Sequence, residues 1–231
     1  MKISVREAAR MLGVSEKTLY RWIERKKLPV HRINDEYRFN RAELLEWATA
    51  ERVRVAVEAA PEPTGDTPPL LSEVLVAGGI HYAVPGATPE AVLRELVARM
   101  HLPDDVDRAY LCEMLLARET LGSTHARDGI AIPHVRSPVV LHGRASLTLC
   151  FPAQPIDFGA PDHPPVRALF LLVCPTTRVH LHLLARLGAA LHDAELARAV
   201  CEQASADAIL VDVRRVEAGF PESRRVGAAA H

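Results

Sequence analysis

The apolar positions of the first fifty residues fall into three short helical patterns separated by turn signals. Ser4-x-x-Glu7 has the form of a capping box, with the serine oxygen taking an orphan backbone N–H and the glutamate reaching back to the cap. It predicts a helix through Leu12 with Ala8, Met11 and Leu12 on one face, ended by the left-handed turn that Gly13 permits. Ser15 caps a second helix, Glu16 to about Lys26, with Leu19, Trp22 and Ile23 at helical spacing, and Pro29 stops it. Ile33, Tyr37 and Phe39 then alternate around Asn34-Asp35, the pattern of a small hairpin. Asn40-x-x-Glu43 repeats the capping-box form and opens a helix carrying Leu44, Leu45 and Trp47. Two helices joined by a short glycine turn and followed by a hairpin predict a small winged helix-turn-helix, mostly α.

The rear of the chain mixes two periodicities. Thr88 followed by Pro89 is a cap with proline at the first helical position, and Val92, Leu93, Leu96 and Val97 then face one way to about His101. Asp104 to Arg118 reads as another helix. The apolar runs Ala145–Phe151 and Val166–Val173 have the length of buried strands. Thr177 opens a helix to about His192, and two shorter helices follow. Strands alternating with helices predict an α/β domain with a mixed sheet flanked by helices. Between the two patterns lies Ala59-Ala60-Pro61-Glu62-Pro63-Thr64-Gly65-Asp66-Thr67-Pro68-Pro69, extended and without an apolar face. The expected division is a helix-turn-helix domain at 1–54, a proline-rich linker at 55–69, an α/β domain at 70–218 and a disordered tail at 219–231.

Charge sharpens this division. Residues 1–54 carry a net +5 and residues 55–231 a net −6, so the front is the part suited to a polyanion. The whole 231-residue chain is otherwise ordinary, at 48% hydrophobic and 25% charged. No apolar run reaches the roughly 20 residues that span a bilayer, and the N-terminus lacks a signal peptide's apolar region. Cys112, Cys150, Cys174 and Cys201 form no CxxC pair and read as reduced thiols. A cytoplasmic protein without membrane insertion is expected.

On the second helix Lys17, Thr18, Arg21 and Arg25 share the exposed face, and Arg32 and Arg38 sit on the expected wing. Lysine and arginine there suit phosphate contacts, and arginine also pairs with a guanine edge. The stretch SVREAARMLGVSEKTLYRWIERKKLPVHRINDEYRFNRAELLEW resembles the excisionase and MerR-like helix-turn-helix family over about residues 2–49. DNA is therefore an expected partner. A homodimer is a possible one, since one small module needs a second to read two half-sites. The stretch 43–60, rich in helix formers, is a candidate to extend towards the linker, and it or the sheet of the rear domain is the candidate to mediate the dimer.

The segment from Arg118 to His134 gathers hydroxyls, arginines and glycines, then a short apolar strand, then Pro-His. Neutral imidazole is a good nucleophile near pH 7 and accepts a phosphoryl group covalently. The phosphate then requires N–H and O–H donors and positive charge, of which Arg118, Ser123, Thr124 and Arg127 are the right types. ARETLGSTHARDGIAIPH resembles the active-site loop of the fructose/mannitol- and nitrogen-type IIA domains of the phosphotransferase system. PIDFGAPDHPPVRALFLLVCPTTRVHLHLLARLGAALHD resembles the following part of the same domain, and the similarity covers roughly residues 70–212. The resemblance implies that His134 takes phosphate from an HPr-like phosphocarrier and that His180 is the family's second histidine. At about 100° per residue His180 falls within the apolar arc of Val179, Leu183, Leu184, Leu187 and Leu191, whereas His182 points nearly opposite. An inward histidine requires a polar partner, which a backbone carbonyl, another histidine or a bound phosphate would supply. His125, His163 and His182 read as surface residues as readily as anything else. His125 and Arg127 stand where the family usually has glycine. No spacing resembles a zinc site, and no cofactor or metal is expected.

The reading is a DNA-binding transcriptional regulator governed by phosphorylation of its IIA-like domain. Two alternatives stay open: a phosphocarrier enzyme relaying phosphate to a sugar permease, and a degenerate IIA domain used for docking or ligand sensing.

Overall fold

The computed structural model describes residues 2–25, 28–33, 36–51, 53, 69–102, 106–135, 144–159 and 164–220. The expected hairpin turn Asn34-Asp35, nearly all of the expected linker, His163 and all but the first two residues of the expected tail lie outside them. So do the side chains of Arg32 and Arg127.

The front unit runs β1 (Lys2–Ser4), α1 (Val5–Met11), α2 (Glu16–Arg25), β2 (His31–Ile33), β3 (Glu36–Asn40) and α3 (Arg41–Ala50). The Ser4 box forms as its sequence dictates: Oγ of Ser4 accepts from the Glu7 N–H at 3.3 Å, and the Glu7 carboxylate accepts from the Ser4 N–H at 2.8 Å. Gly13 takes φ +63°, the left-handed turn between α1 and α2. The N–H of Thr18 bonds Oγ of Ser15 at 3.2 Å, capping α2. The hairpin pairs Ile33 with Glu36. β1 is an addition to the expected elements; it pairs antiparallel with β3, giving a sheet in the order β1-β3-β2. Helix α3 ends at Ala50, and the Val53 N–H turns back onto the Ala48 carbonyl at 2.8 Å. The expected extension of this helix towards the linker therefore stops there, and residues 54–60 lie outside the described ones.

The rear unit runs α4 (Leu71–Gly78), β4 (Ile80–Val84), α5 (Pro89–Arg99), α6 (Arg108–Thr120), β5 (His125–Arg127), β6 (Ile130–Ala131), β7 (Ser146–Pro152), β8 (Ala168–Val173), α7 (Thr177–Ala190), α8 (Ala194–Cys201) and α9 (Ala206–Ala218). Helix α6 starts at a cap on Asp107, later than the sequence pattern places it, and α7 is capped by Thr176. The sheet order is β4-β7-β8-β6-β5. β4·β7 and β6·β8 are parallel, while β7·β8 and β5·β6 are antiparallel, so the sheet is mixed as expected.

Both faces of this sheet are covered, which is why β7 and β8 read as unbroken apolar runs. Leu147, Leu149 and Phe151 of β7 with Ala168, Phe170 and Leu172 of β8 join the cluster built from α4, α7, α8 and α9. Cys150, Leu169, Leu171 and Val173 face the opposite cluster, built from α5 and α6. Burial pushes the Cys150 and Cys174 thiols up to about 12, so both stay protonated. The buried carboxylate of Glu217 on α9 accepts from the Leu71 and Ser72 N–H groups at 2.5 and 3.2 Å, occupying the orphan donors at the start of α4. The buried apolar residues of the front unit, among them Leu44, Leu45 and Ala48 of α3, belong to the same continuous cluster as α7 and the sheet. Among the described residues no helix is long and apolar enough to cross a membrane.

Candidate functional site

Side chains alternate along an extended chain, and that alternation aims His134. Ala131 and Val135 join the cluster under α5 and α6, whereas Ile132 joins the one under α7. His134, two residues on, shares the face of Ile132. The segment is held in register where the Leu172 N–H of β8 bonds the Pro133 carbonyl at 3.1 Å, and His134 forms a parallel bridge with Leu172. His134 is thereby fixed beneath α7, only 3% exposed.

His180 comes from α7 to meet it. The two rings lie 5.1 Å apart at 37°. Burial, with His134 beside it, pushes the His180 imidazole down to about 3, so it is neutral. Its Nε2 makes no hydrogen bond to a described residue. Nδ1 of His134 lies 2.6 Å from the Ile132 carbonyl. A carbonyl only accepts, so Nδ1 carries the hydrogen and Nε2 is the ring's reactive position.

Arg118, at the end of α6, is buried and donates to the Gly122 carbonyl at 2.8 Å, bending its guanidinium over the loop. Thr124 is clamped by Glu119, whose two carboxylate oxygens accept from its N–H and its hydroxyl, both at 2.7 Å. Oγ of Ser123 accepts from the His125 N–H at 3.2 Å. Ser123, Thr124 and His134 line one cavity, and His180 lies ring to ring with His134. The fifth phosphate-binding candidate, Arg127, has a side chain outside the described residues.

One participant carries no signal in the local sequence. Glu46, on α3 of the front unit, places Oε1 2.9 Å from His134 Nε2, and its other oxygen accepts from the Arg118 guanidinium. The carboxylate is 9% exposed. It closes the site to a cavity of ≈ 20 Å³, bounded by Thr49, Ser123, Thr124 and Leu184 among others.

Two histidines depart from the expected picture. His125 and His182 are both 3% exposed, not surface residues. A helical wheel assumes one wet face, but α7 packs against α3, α4, α9 and β8 and retains little. Burial pushes His182 down to about 4.

On the front unit, Lys17, Arg21 and Arg25 are exposed along α2, and Thr18 is half-buried with its hydroxyl 3.0 Å from Ser15 Oγ. Arg38 is half-buried on β3. Among the described residues no cluster of three or more His, Cys, Asp or Glu is disposed to hold a metal.

Comparison with known proteins agrees with both halves. Residues 3–52 match the helix-turn-helix domain family, and residues 77–211 match the family described as phosphoenolpyruvate-dependent sugar phosphotransferase system, EIIA 2. A nitrogen regulatory protein of Pseudomonas aeruginosa is 39% identical over 159 residues, spanning 62% of this chain and 96% of that protein. The fructose-specific EIIABC component of Bacillus subtilis is 27% identical over 148 residues, 61% of this chain and 22% of that one. The crystal structure of nitrogen regulatory protein IIA-Ntr from Neisseria meningitidis superposes with a TM-score of 0.55 at 27% identity, covering 62% of this chain and 98% of that one. The chain belongs to the EIIA type 2 family of the phosphotransferase system, with a helix-turn-helix domain at its N-terminus.

Proposed function

We propose that the protein is a DNA-binding regulator whose EIIA domain takes a phosphoryl group on Nε2 of His134 from an HPr-like carrier, and that this modification sets DNA binding. The observation that carries the reading is the oxyanion already gripped at the site. A buried carboxylate sits between His134 Nε2 and the Arg118 guanidinium, the place and charge that a phosphoryl group would take. In the transfer the lone pair of Nε2 attacks phosphorus while the carrier's P–N bond breaks and its electron pair stays on the carrier imidazole. The hydrogen of His134 stays on Nδ1 throughout, donated to the Ile132 carbonyl. His180, neutral and facing the same spot, steadies the ring or donates to a phosphoryl oxygen. On the front unit the exposed face of α2 presents Lys17, Thr18, Arg21 and Arg25 to the major groove, with Arg32 and Arg38 on the hairpin.

Any protein donor or acceptor of phosphate, carrier or permease, must approach the face of His134 that α3 covers; what favours the regulator over onward relay is the helix-turn-helix domain joined to the EIIA domain. The test is labelling from phosphoenolpyruvate through the general phosphotransferase components, followed by gel shifts of both forms. The wild type should gain an acid-labile, alkali-stable label, His134→Ala none, and the two forms of the wild type should differ in DNA affinity. Undiminished labelling of His134→Ala would place the acceptor elsewhere, and no labelling by any carrier would leave a docking module.

A further inference from the structure

We infer that Glu46 and the phosphoryl group compete for one place, so that α3 of the helix-turn-helix unit docks on the EIIA domain only while His134 is unmodified. The surface that α3 covers is then the surface a phosphocarrier must reach. This rests on the reading of His134 as the acceptor.

Three observations carry it. The first is space. With α3 in place the cavity beside His134 is ≈ 20 Å³, room for about one water, whereas a phosphoryl group brings three oxygens. The second is occupancy. Nδ1 of His134 faces the Ile132 carbonyl and Nε2 faces the Glu46 carboxylate at 2.9 Å. The one ring nitrogen left for phosphorus is therefore already hydrogen-bonded while α3 is docked, so docking blocks the nucleophile. The third is charge. A phosphoryl group carries about −1.5 to −2 near neutral pH, and next to it the Glu46 carboxylate would lose its partners and face like charge. Arg118 would pass from one oxyanion to the other, and its Nε and the Nε2 of His180, which bond no described residue, would gain acceptors.

The interface holding α3 there has a recognisable shape. A Cβ on Gly188 of α7 would stand 3.0 Å from Oγ1 of Thr49, and the three nearest atoms to that point all belong to Thr49. Glycine at 188 is therefore what lets α3 lie this close to α7. A bulky side chain there is directed at Thr49 of α3 and so works against docking, and it replaces a helical glycine, which in itself favours the helix.

The experiment follows labelling of the full chain by a phosphorylated HPr-like carrier in wild type, Glu46→Gln and Gly188→Leu, with amide hydrogen exchange of residues 44–49 read before and after labelling. Both variants should label about tenfold faster or more than the wild type. Labelling of the wild type should raise exchange in α3 to the level Gly188→Leu shows unlabelled. Equal labelling rates in all three proteins, or α3 protection unchanged on phosphorylation, would overturn the exclusion and leave His134 as acceptor. No label in any of the three, with α3 loosened in Gly188→Leu, would overturn the acceptor reading itself, and the inference with it.

Discussion

Oε1 of Glu46 lies 2.9 Å from Nε2 of His134, from a position 88 residues earlier in the chain. One residue belongs to the helix-turn-helix unit and the other to the EIIA domain, so the contact joins the two parts at the atom where phosphoryl chemistry would occur. The ion pair of Glu46 with Arg118 completes it, with both side chains below one-tenth exposed. Breaking such a pair from one side leaves a buried charge, which is costly. A change at His134 therefore has a direct physical route to the DNA-binding unit.

His180 is expected to support the acceptor rather than replace it. Its ring lies 5.1 Å from that of His134 and its Nε2 bonds no described residue. A hydrogen bond to a charged group contributes about 1.5–3 kcal/mol, so His180→Ala should slow labelling by about ten- to a hundredfold without abolishing it. Initial rates of label uptake measure this; an unchanged rate would leave His180 a packing residue.

Stability should fall on acidification. Burial holds His180 down to about 3 and His182 down to about 4, while in the unfolded chain both titrate near 6.5. Below that value the unfolded state binds protons the folded state refuses. The stability is complete above pH ~6.5 and is lost as pH drops towards 4, by up to about 1.4 kcal/mol per unit for each group. Urea unfolding at pH 7, 6 and 5 checks it, and His182→Gln should make the fall shallower. Stability that rises towards pH 5 would contradict the assignment.

Glu217 ties α9 to the start of α4 through the Leu71 and Ser72 N–H groups and the Ser72 hydroxyl, and lies 3.8 Å from Arg186. Glu217→Ala would strand those donors and a half-paired guanidinium in the interior. The expected loss is about 3 kcal/mol, read from the urea midpoint. A loss within experimental error would mean that water replaces the carboxylate at no cost.

DNA affinity should depend steeply on salt. Lys17, Arg21 and Arg25 line the exposed face of α2, and each phosphate contact removed lowers the slope of log K against log salt by about 1. Single alanine variants titrated at several salt concentrations give that slope directly. Slopes equal to the wild type in all three would move the DNA contact off α2.

Much of this architecture was legible in the sequence because its signals are local. The Ser4 box and the Thr88-Pro89 cap involve groups within one helical turn, and both form as read. The long apolar runs became β7 and β8 because a buried strand needs apolar side chains on both faces. Other elements were present in the pattern but slight: Leu71, Val74 and Leu75 have helical spacing, yet α4 is only 8 residues long. Strands of three residues, such as β1 and β5, carry too few side chains to alternate visibly. The helical wheel of α7 placed His180 inward, but it could not show that the opposite side, where His182 lies, is buried as well, because it supposes a single wet face. Glu46 was beyond reach for a different reason. On α3 it is one more charged helix residue, and what distinguishes it is a partner brought by tertiary docking.

The account turns on which atom takes the phosphorus. With Nδ1 of His134 held at 2.6 Å from the Ile132 carbonyl, Nε2 is the ring nitrogen left to react. The decisive measurement is ³¹P–¹⁵N correlation on the labelled, imidazole-enriched protein, combined with mass-spectrometric mapping of the modified peptide. The expected result is a single phosphohistidine at residue 134, bonded through Nε2. Phosphorus on Nδ1 of His134, or on His125, His180 or any other residue, would contradict it.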